Sequence, residues 1–124
     1  MSVTLRTESD GEVLTIGFAQ ARISDEIVTE HLHRELIELV LARQEPKILL
    51  DFQGVRFLAS AALGVVIRLQ KRCRETGRGL KLCRLSAEVR QVFKVTNLEK
   101  ILDIHESPED AMAAFDGQSF RWEH

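Results

Sequence analysis

The order of apolar and polar residues at the start of the chain predicts a β-hairpin. Residues 3–7 alternate between apolar and polar side chains, which is typical of a half-buried strand. The turn-forming triplet Ser9-Asp10-Gly11 comes next, and residues 12–19 form a second run with strand character. Because only turn residues separate the two runs, we expect them to pair as antiparallel strands.

Residues 26–43 repeat their apolar side chains with the period of an α-helix. The positions expected to share its buried face are Val28, Leu32, Leu36, Leu39 and Val40. Ser24 and Asp25 precede the first turn as N-cap candidates, and Glu45-Pro46 should end the helix before the next strand. We therefore expect an amphipathic helix that packs on a sheet.

A buried strand, a turn and a second amphipathic helix follow in close succession. Residues 48–52 are predicted to form the strand and Gly54 the turn. Residues 55–58 are a short apolar segment in which the chain returns after the turn. The helix is expected over about residues 60–76, with core positions at Ala62, Val66, Leu69 and Cys73.

The second half of the chain repeats the order of strand and then helix. Its predicted elements are a strand over residues 80–85, a helix from Ser86 to about Val95, a short edge strand within residues 99–105, and a last helix from Ser107-Pro108 to Phe115. Strands that alternate with helices after a hairpin are typical of a mixed, mostly parallel sheet. We expect one α/β domain over residues 1–115, with about four or five strands packed with about four or five helices. Residues 116–124 would form a C-terminal tail.

Residues 48–64, ILLDFQGVRFLASAALG, resemble the signature of the STAS domain family, which includes bacterial anti-sigma factor antagonists and the cytoplasmic tails of sulfate transporters. The family form is an apolar strand, an Asp-x-x-x-Val turn, and then Phe-(Ile/Met)-Asp-Ser-(Ser/Thr)-Gly-Leu. This chain has FLASAAL at the last seven positions. Residues 79–83, 86–98 and 106–111 resemble further family segments in the same order. The resemblance covers most of the chain and implies the STAS fold.

The resemblance also implies a non-enzymatic regulatory domain that binds a protein, in the manner of an anti-sigma factor antagonist. The partner would be an anti-sigma factor kinase or a related regulatory protein. The implied contact residues are Ser24, Asp25, Arg56, Ser60, Ala61, Leu63, Gly64 and Arg68. Ala61 stands where the family has its phosphoacceptor, so we expect no regulation by phosphorylation at the usual site. The domain would then bind its partner constitutively, or have lost this function.

Ser60 has two interpretations. As the N-cap of the helix over residues 60–76, its hydroxyl would accept an N–H near Leu63 and stabilise the helix by about 0.5–2 kcal/mol relative to alanine. As a phosphoacceptor, it would place the new charge where the helix dipole favours it. A hydroxyl turned into the cap is a poorer acceptor, so the cap is the expected role.

The uneven distribution of charge leaves two further functions open. The net charge is −2, but residues 56–94 carry ten basic and two acidic side chains. Such a segment either attracts an acidic partner, a nucleotide or another anion, or forms ordinary solvated helix faces. The alternatives to partner binding are a homo-oligomeric scaffold, with a homodimer as its simplest form, and a small-anion or nucleotide sensor. A pI of about 6.1 and the absence of tyrosine argue against nucleic-acid binding.

No catalytic group, metal site or cofactor is expected from the sequence. His31 and His33 point to different faces of the predicted helix, and Cys73 and Cys83 both fall at core positions, as reduced structural thiols do. Asp51 ends the predicted central strand and should hydrogen-bond the turn at Gly54. No apolar run approaches the ~18–20 residues of a membrane span, and the N-terminus lacks signal-peptide features. We therefore expect a cytoplasmic protein.

Overall fold

The computed structural model describes residues 5–121, with side chains described as far as residue 116. Residues 5–121 form seven strands, which are, in chain order, β1 (Leu5–Ser9), β2 (Val13–Phe18), β3 (Arg22–Ile23), β4 (Lys47–Asp51), β5 (Phe57–Leu58), β6 (Gly79–Cys83) and β7 (Ile104–His105). The main sheet has the strand order β1-β2-β4-β6-β7. Only the β1–β2 pair is antiparallel, and its register sets Leu5 opposite Phe18. The predicted hairpin and mixed, mostly parallel sheet are confirmed.

Helices cover both faces of the main sheet. They are α1 (Glu26–Ala42), α2 (Ser60–Glu75), α3 (Ala87–Val95) and α4 (Pro108–Arg121), with a 3-10 turn at Leu98–Lys100. No helix within residues 5–121 has the length and apolar content that crossing a bilayer requires.

The alternation of side chains along the strands divides the core into two layers. On one face, residues such as Leu14, Ile48 and Leu82 pack with the buried stripes of α1, α2 and α3. On the other face, a smaller cluster is covered by α4; it consists of Val13, Leu49, Cys83, Ala111 and Phe115. α4 therefore lies on the opposite side of the sheet from α1 and α2.

The caps predicted for three helix starts are confirmed, whereas the predicted end of the last helix is wrong. Asp25, Ser86 and Ser107 each accept a backbone N–H in the first turn of a helix, as predicted from their position and type. The last helix, however, continues past Phe115 to Arg121, so part of the predicted tail is helical. The other predicted tail residues, 122–124, and the predicted start of the first strand at residues 3–4 lie outside the described residues.

Candidate protein-interaction surface

A second, two-stranded sheet joins the starts of α1 and α2. Strands β3 and β5 pair in parallel, with Arg22 opposite Phe57 and Ile23 opposite Leu58. Hydrogen bonds continue on both sides of this pair, from Arg56 N to Ala21 O (2.7 Å) and from Ala59 N to Ile23 O (2.9 Å). Because each strand leads directly into a helix, the two helix starts are held side by side at the carboxyl edge of the main sheet. The small sheet was not predicted from the sequence. Its strand pairing places Ser24-Asp25 next to the start of α2.

The start of α1 is closed by its own carboxylate. Asp25 Oδ1 accepts the backbone N–H of Ile27 at 2.7 Å and of Val28 at 3.3 Å. These bonds satisfy two of the donors that a helix start leaves unpaired, and the negative charge complements the helix dipole. Ser24 and Asp25 are both exposed, as a contact role requires.

The start of α2 has no such side chain, and here the predicted cap is wrong. The N-cap is Ala59, whose carbonyl oxygen accepts the N–H groups of Ala62 (2.9 Å) and Leu63 (3.3 Å). Ser60 is instead the first helical residue and is exposed. The N-cap is therefore one residue earlier than predicted, and the Ser60 hydroxyl is not bound in the cap. The cap thus gives no reason to regard Ser60 as a poor phosphoacceptor.

The structure brings most of the implied contact residues to one exposed surface. Ser60, Ala61 and Arg68 on α2 are exposed, as is Arg56 just before β5. Gly64 is half-buried, and its carbonyl oxygen accepts a hydrogen bond from Arg68 Nε at 3.3 Å. Leu63 differs from the others, because only 4% of it is exposed and it belongs to the core. It supports the surface from below.

Two exposed apolar side chains at this edge were missed by the sequence reasoning. Ile27 in the first turn of α1 is 65% exposed, and Phe57 on β5 is 40% exposed. The guanidinium of Arg22 lies 4.4 Å from the centre of the Phe57 ring, which is a cation–π contact. Contiguous apolar patches rimmed by polar residues mark protein-binding sites, whereas single exposed apolar side chains are common. We define the switch surface as Ser24, Asp25, Ile27, Arg56, Phe57, Ser60, Ala61, Gly64 and Arg68.

An ion pair between neighbouring strand ends supports the loop before the switch surface. Arg84 donates both Nε (3.0 Å to Oδ1) and a terminal nitrogen to the Asp51 carboxylate. Asp51 Oδ1 also accepts the N–H of Gln53 at 3.1 Å, so the predicted contact with the turn is present one residue before Gly54. Burial alone would raise the pKa of Asp51, but the bonds from Arg84 and Gln53 outweigh it and lower the pKa. Arg84 adopts a φ of 56°, an uncommon conformation for a non-glycine residue.

The basic segment over residues 56–94 is divided between structure and surface. Four of its side chains are at least half-buried and bound to carboxylates or carbonyls: Arg78, Lys81, Arg84 and Arg90. The other six are exposed: Arg56, Arg68, Lys71, Arg72, Arg74 and Lys94. The attraction of an acidic partner or anion by the exposed cations stays a prediction. Some charge is neutralised by folding, and a positive outer face of α2 remains.

The cysteines agree with the predicted structural role. Cys73 and Cys83 are buried and unbonded to each other. Burial raises the pKa of the Cys73 thiol, and burial followed by the nearby Asp51 carboxylate raises the pKa of Cys83 to about 12. Both thiols are thus poor nucleophiles near neutral pH.

Comparison with known proteins identifies the family that this chain resembles. The model of the STAS domain family matches residues 17–111. BtrV of Bordetella bronchiseptica, a protein named as an anti-sigma factor antagonist, is 34% identical over 92 aligned residues, which cover 71% of this chain and 79% of BtrV.

Solved structures show the same fold at lower identity. A STAS domain protein of Planctomyces limnophilus, described as an anti-sigma factor antagonist, superposes with a TM-score of 0.76 at 24% identity, covering 89% of this chain and 95% of its own. A Thermotoga maritima protein described in the same way gives a TM-score of 0.78 at 20% identity, covering 89% and 92% of the two chains. The predicted fold class is therefore confirmed.

Proposed function

The chain belongs to the STAS domain family, and we propose that it acts as an anti-sigma factor antagonist that binds a regulatory protein through the switch surface, without catalysis. The observation that carries this proposal is the position of Ala61. It is exposed in the first turn of α2, within the switch surface, and it stands where the family resemblance places the phosphoacceptor.

The chemistry of Ala61 explains how binding would be regulated. A phosphorylated serine would add about two negative charges and three acceptor oxygens at this point, enough to repel or remodel a partner. Alanine has no group that can be phosphorylated. We therefore propose that binding through this surface is constitutive with respect to phosphorylation at position 61, and that any switching depends on another residue or on the partner.

The partner we propose is an anti-sigma factor kinase or a related regulatory protein. The switch surface contains the exposed apolar side chains of Ile27 and Phe57 and the cations Arg56 and Arg68. Buried aromatic anchors surrounded by polar residues are typical of the energetic centre of protein interfaces, and the arginines favour an acidic partner surface.

Ser60 is the hydroxyl residue directly beside the position of the family phosphoacceptor. Its hydroxyl is exposed and lies next to Ala61, at a helix start whose N-cap side chain accepts no hydrogen bond. A phosphate there would be stabilised by the helix dipole. We propose that Ser60 contributes to partner contact and is not the regulatory site, because the family acceptor is one residue later.

A capture experiment tests the proposal. The purified chain, the Ala61→Glu variant and the Ala113→Glu variant are each used as bait with an extract of the source cell. Ala113 is a matched control because it is also an exposed helical alanine, but on α4 at the opposite face of the sheet. The proposal predicts that the wild type and Ala113→Glu capture an anti-sigma factor kinase and that Ala61→Glu does not.

Folding is separated from binding in the same experiment. A glutamate in the first turn of a helix interacts favourably with the helix dipole, so the melting temperature of Ala61→Glu should be no lower than that of the wild type. Equal capture by all three proteins would reject the switch surface as the interface. Capture of the chain itself alone would favour the homo-oligomeric scaffold instead.

A further inference from the structure

We infer that a groove between α1 and α2 holds an acidic segment of the bound partner. This inference rests on the proposed function, since it assigns a second contact to the same partner. The groove begins where the switch surface ends, because Arg68 belongs to both.

The groove is formed by the packing of two neighbouring helices. Side chains from α1 and α2 line a groove of about 420 Å³ that is open to solvent. Its lining consists of His33 and Ile37 from α1 and of Arg68, Lys71, Arg72 and Glu75 from α2. Both helices are continuous here and pack on the sheet, so the backbone on each side of the groove is held in place.

The charge of the groove selects an anionic ligand. Three of its lining residues, Arg68, Lys71 and Arg72, are exposed cations, against one carboxylate. That carboxylate, Glu75 Oε1, lies 3.9 Å from the nearest Arg72 nitrogen, at the limit of an ion pair. An exposed pair of this length contributes little, so Arg72 loses little by turning to a ligand.

The α1 wall of the groove adds a polar atom and an apolar contact. The Nδ1 atom of His33 is buried and has no hydrogen-bond partner among the described residues. Because this atom has almost no solvent-accessible surface, it can pair with a ligand in the open groove only if the imidazole ring turns. Ile37 is half-buried beside it and offers an apolar contact.

A polypeptide segment fits these features better than a small anion does. Small-molecule sites bury about 70–90% of their ligand, whereas this groove is open to solvent. A peptide that lies along the helices would place carboxylates on the three cations and an apolar side chain on Ile37. The groove therefore matches a segment in which acidic residues flank an apolar one.

The test is a titration of the isotopically labelled full chain with a defined probe. The probe is a short synthetic peptide with glutamates on both sides of a leucine; a glutamine counterpart and ATP are separate arms. Amide chemical shifts report where each binds. We expect the glutamate peptide to shift amides around His33, Arg68 and Lys71, and the glutamine peptide to leave them unchanged.

Two charge reversals on α2 show whether the glutamate peptide binds in the groove or to the positive helix in general. Lys71→Glu should raise the Kd of the glutamate peptide about fivefold, the effect of a contact of about 1 kcal/mol. Arg74→Glu should change it by less than about twofold. Arg74 is the matched control because it is also an exposed cation of α2 but does not line the groove.

Several outcomes would overturn the inference. Equal effects of the two reversals would mean diffuse attraction to a positive helix, and shifts away from the groove would place the peptide elsewhere. Tighter binding of ATP than of the peptide would make the groove a small-anion site. The peptide titration needs no partner protein, so a negative titration does not affect the capture test with Ala61→Glu. A negative capture test likewise leaves the titration result valid.

Discussion

Arg74 and Arg78 are close in the sequence and carry the same charge, yet the fold uses them differently. Arg74 lies on the outer face of α2 and is exposed. Arg78, one turn beyond the helix end, donates its Nε to Glu45 O at 2.8 Å and a terminal nitrogen to Val40 O at 2.6 Å. It therefore satisfies a carbonyl in the last turn of α1, where a cation also complements the helix dipole.

The same division holds for the whole basic segment. Cations in or beside β6 are bound by partners far away in the sequence: Arg84 pairs with Asp51 and Lys81 pairs with Asp103. Cations on α2 have solvent on their outer side and remain available for a ligand. A run of like charge in the sequence therefore gives a smaller charged surface, because folding pairs some of its side chains with distant partners.

The largest effect that separates the two groups is on stability. Arg78→Ala leaves two carbonyl oxygens without their charged donor, and we expect a loss of about 1.5–3 kcal/mol in the free energy of unfolding. Arg74→Ala should change it by less than about 0.5 kcal/mol. Urea denaturation of both variants measures the difference, and equal values for the two would contradict the division.

A second effect concerns the buried ammonium of Lys81. Lys81 is 2% exposed and is paired with Asp103, whose side chain is 47% exposed. Asp103→Ala should cost about 1–2 kcal/mol, because it leaves a buried charge that water reaches only in part. Lys81→Met, which removes the charge and keeps an unbranched chain, should cost less. Thermal unfolding of the two variants ranks them, and the reverse order would show that the pair itself is strongly stabilising.

The third prediction concerns an exposed residue whose loss should weaken partner binding more than stability. Phe57→Ala removes a ring that is 40% exposed, so the free energy of unfolding should fall by less than about 1 kcal/mol. Partner affinity should fall about fivefold or more, as for an aromatic anchor at an interface. Calorimetry with the captured partner and denaturation of the free variant give the two numbers. A large stability loss with unchanged affinity would make Phe57 a structural residue.

The smallest effect is a dependence of stability on acid pH. Hydrogen bonds from Arg43 and then Ser9 lower the pKa of Glu45 from its ordinary 4.5 to about 2. A depressed carboxyl pKa stabilises the fold fully above the unfolded value, and this contribution is lost as the pH falls from about 4.5 towards about 2. Glu45→Gln should therefore flatten the stability profile in this window. An unchanged slope in denaturation at stepped pH would contradict it.

Local sequence patterns predicted most of the fold because the signals they use are local. The hairpin follows from the Ser9-Asp10-Gly11 turn, and the starts of α1, α3 and α4 follow from Asp25, Ser86 and Ser107 next to helical periods. The end of α4 was missed because residues 116–121 lack a clear apolar stripe and were assigned to a tail.

The candidate site was predicted less completely, since its key contacts are not local. Strands β3 and β5 have two residues each, too few for an alternating pattern to be recognised. The Asp51–Arg84 pair joins residues 33 positions apart. The cap of α2 was placed on Ser60 because serine is the better cap, whereas the strand pairing of Ile23 with Leu58 fixes Ala59 at that position.

If Ala61 removes the phosphorylation switch, restoring a hydroxyl at this position should bring the switch back. The captured kinase is mixed with ATP and the wild type, Ala61→Ser or Ser60→Ala, and both phosphate incorporation and retention of the complex are measured. We expect the wild type and Ser60→Ala to take up no phosphate and stay bound, and Ala61→Ser to be phosphorylated and released. Phosphorylation and release of the wild type, abolished by Ser60→Ala, would contradict it and make Ser60 the switch.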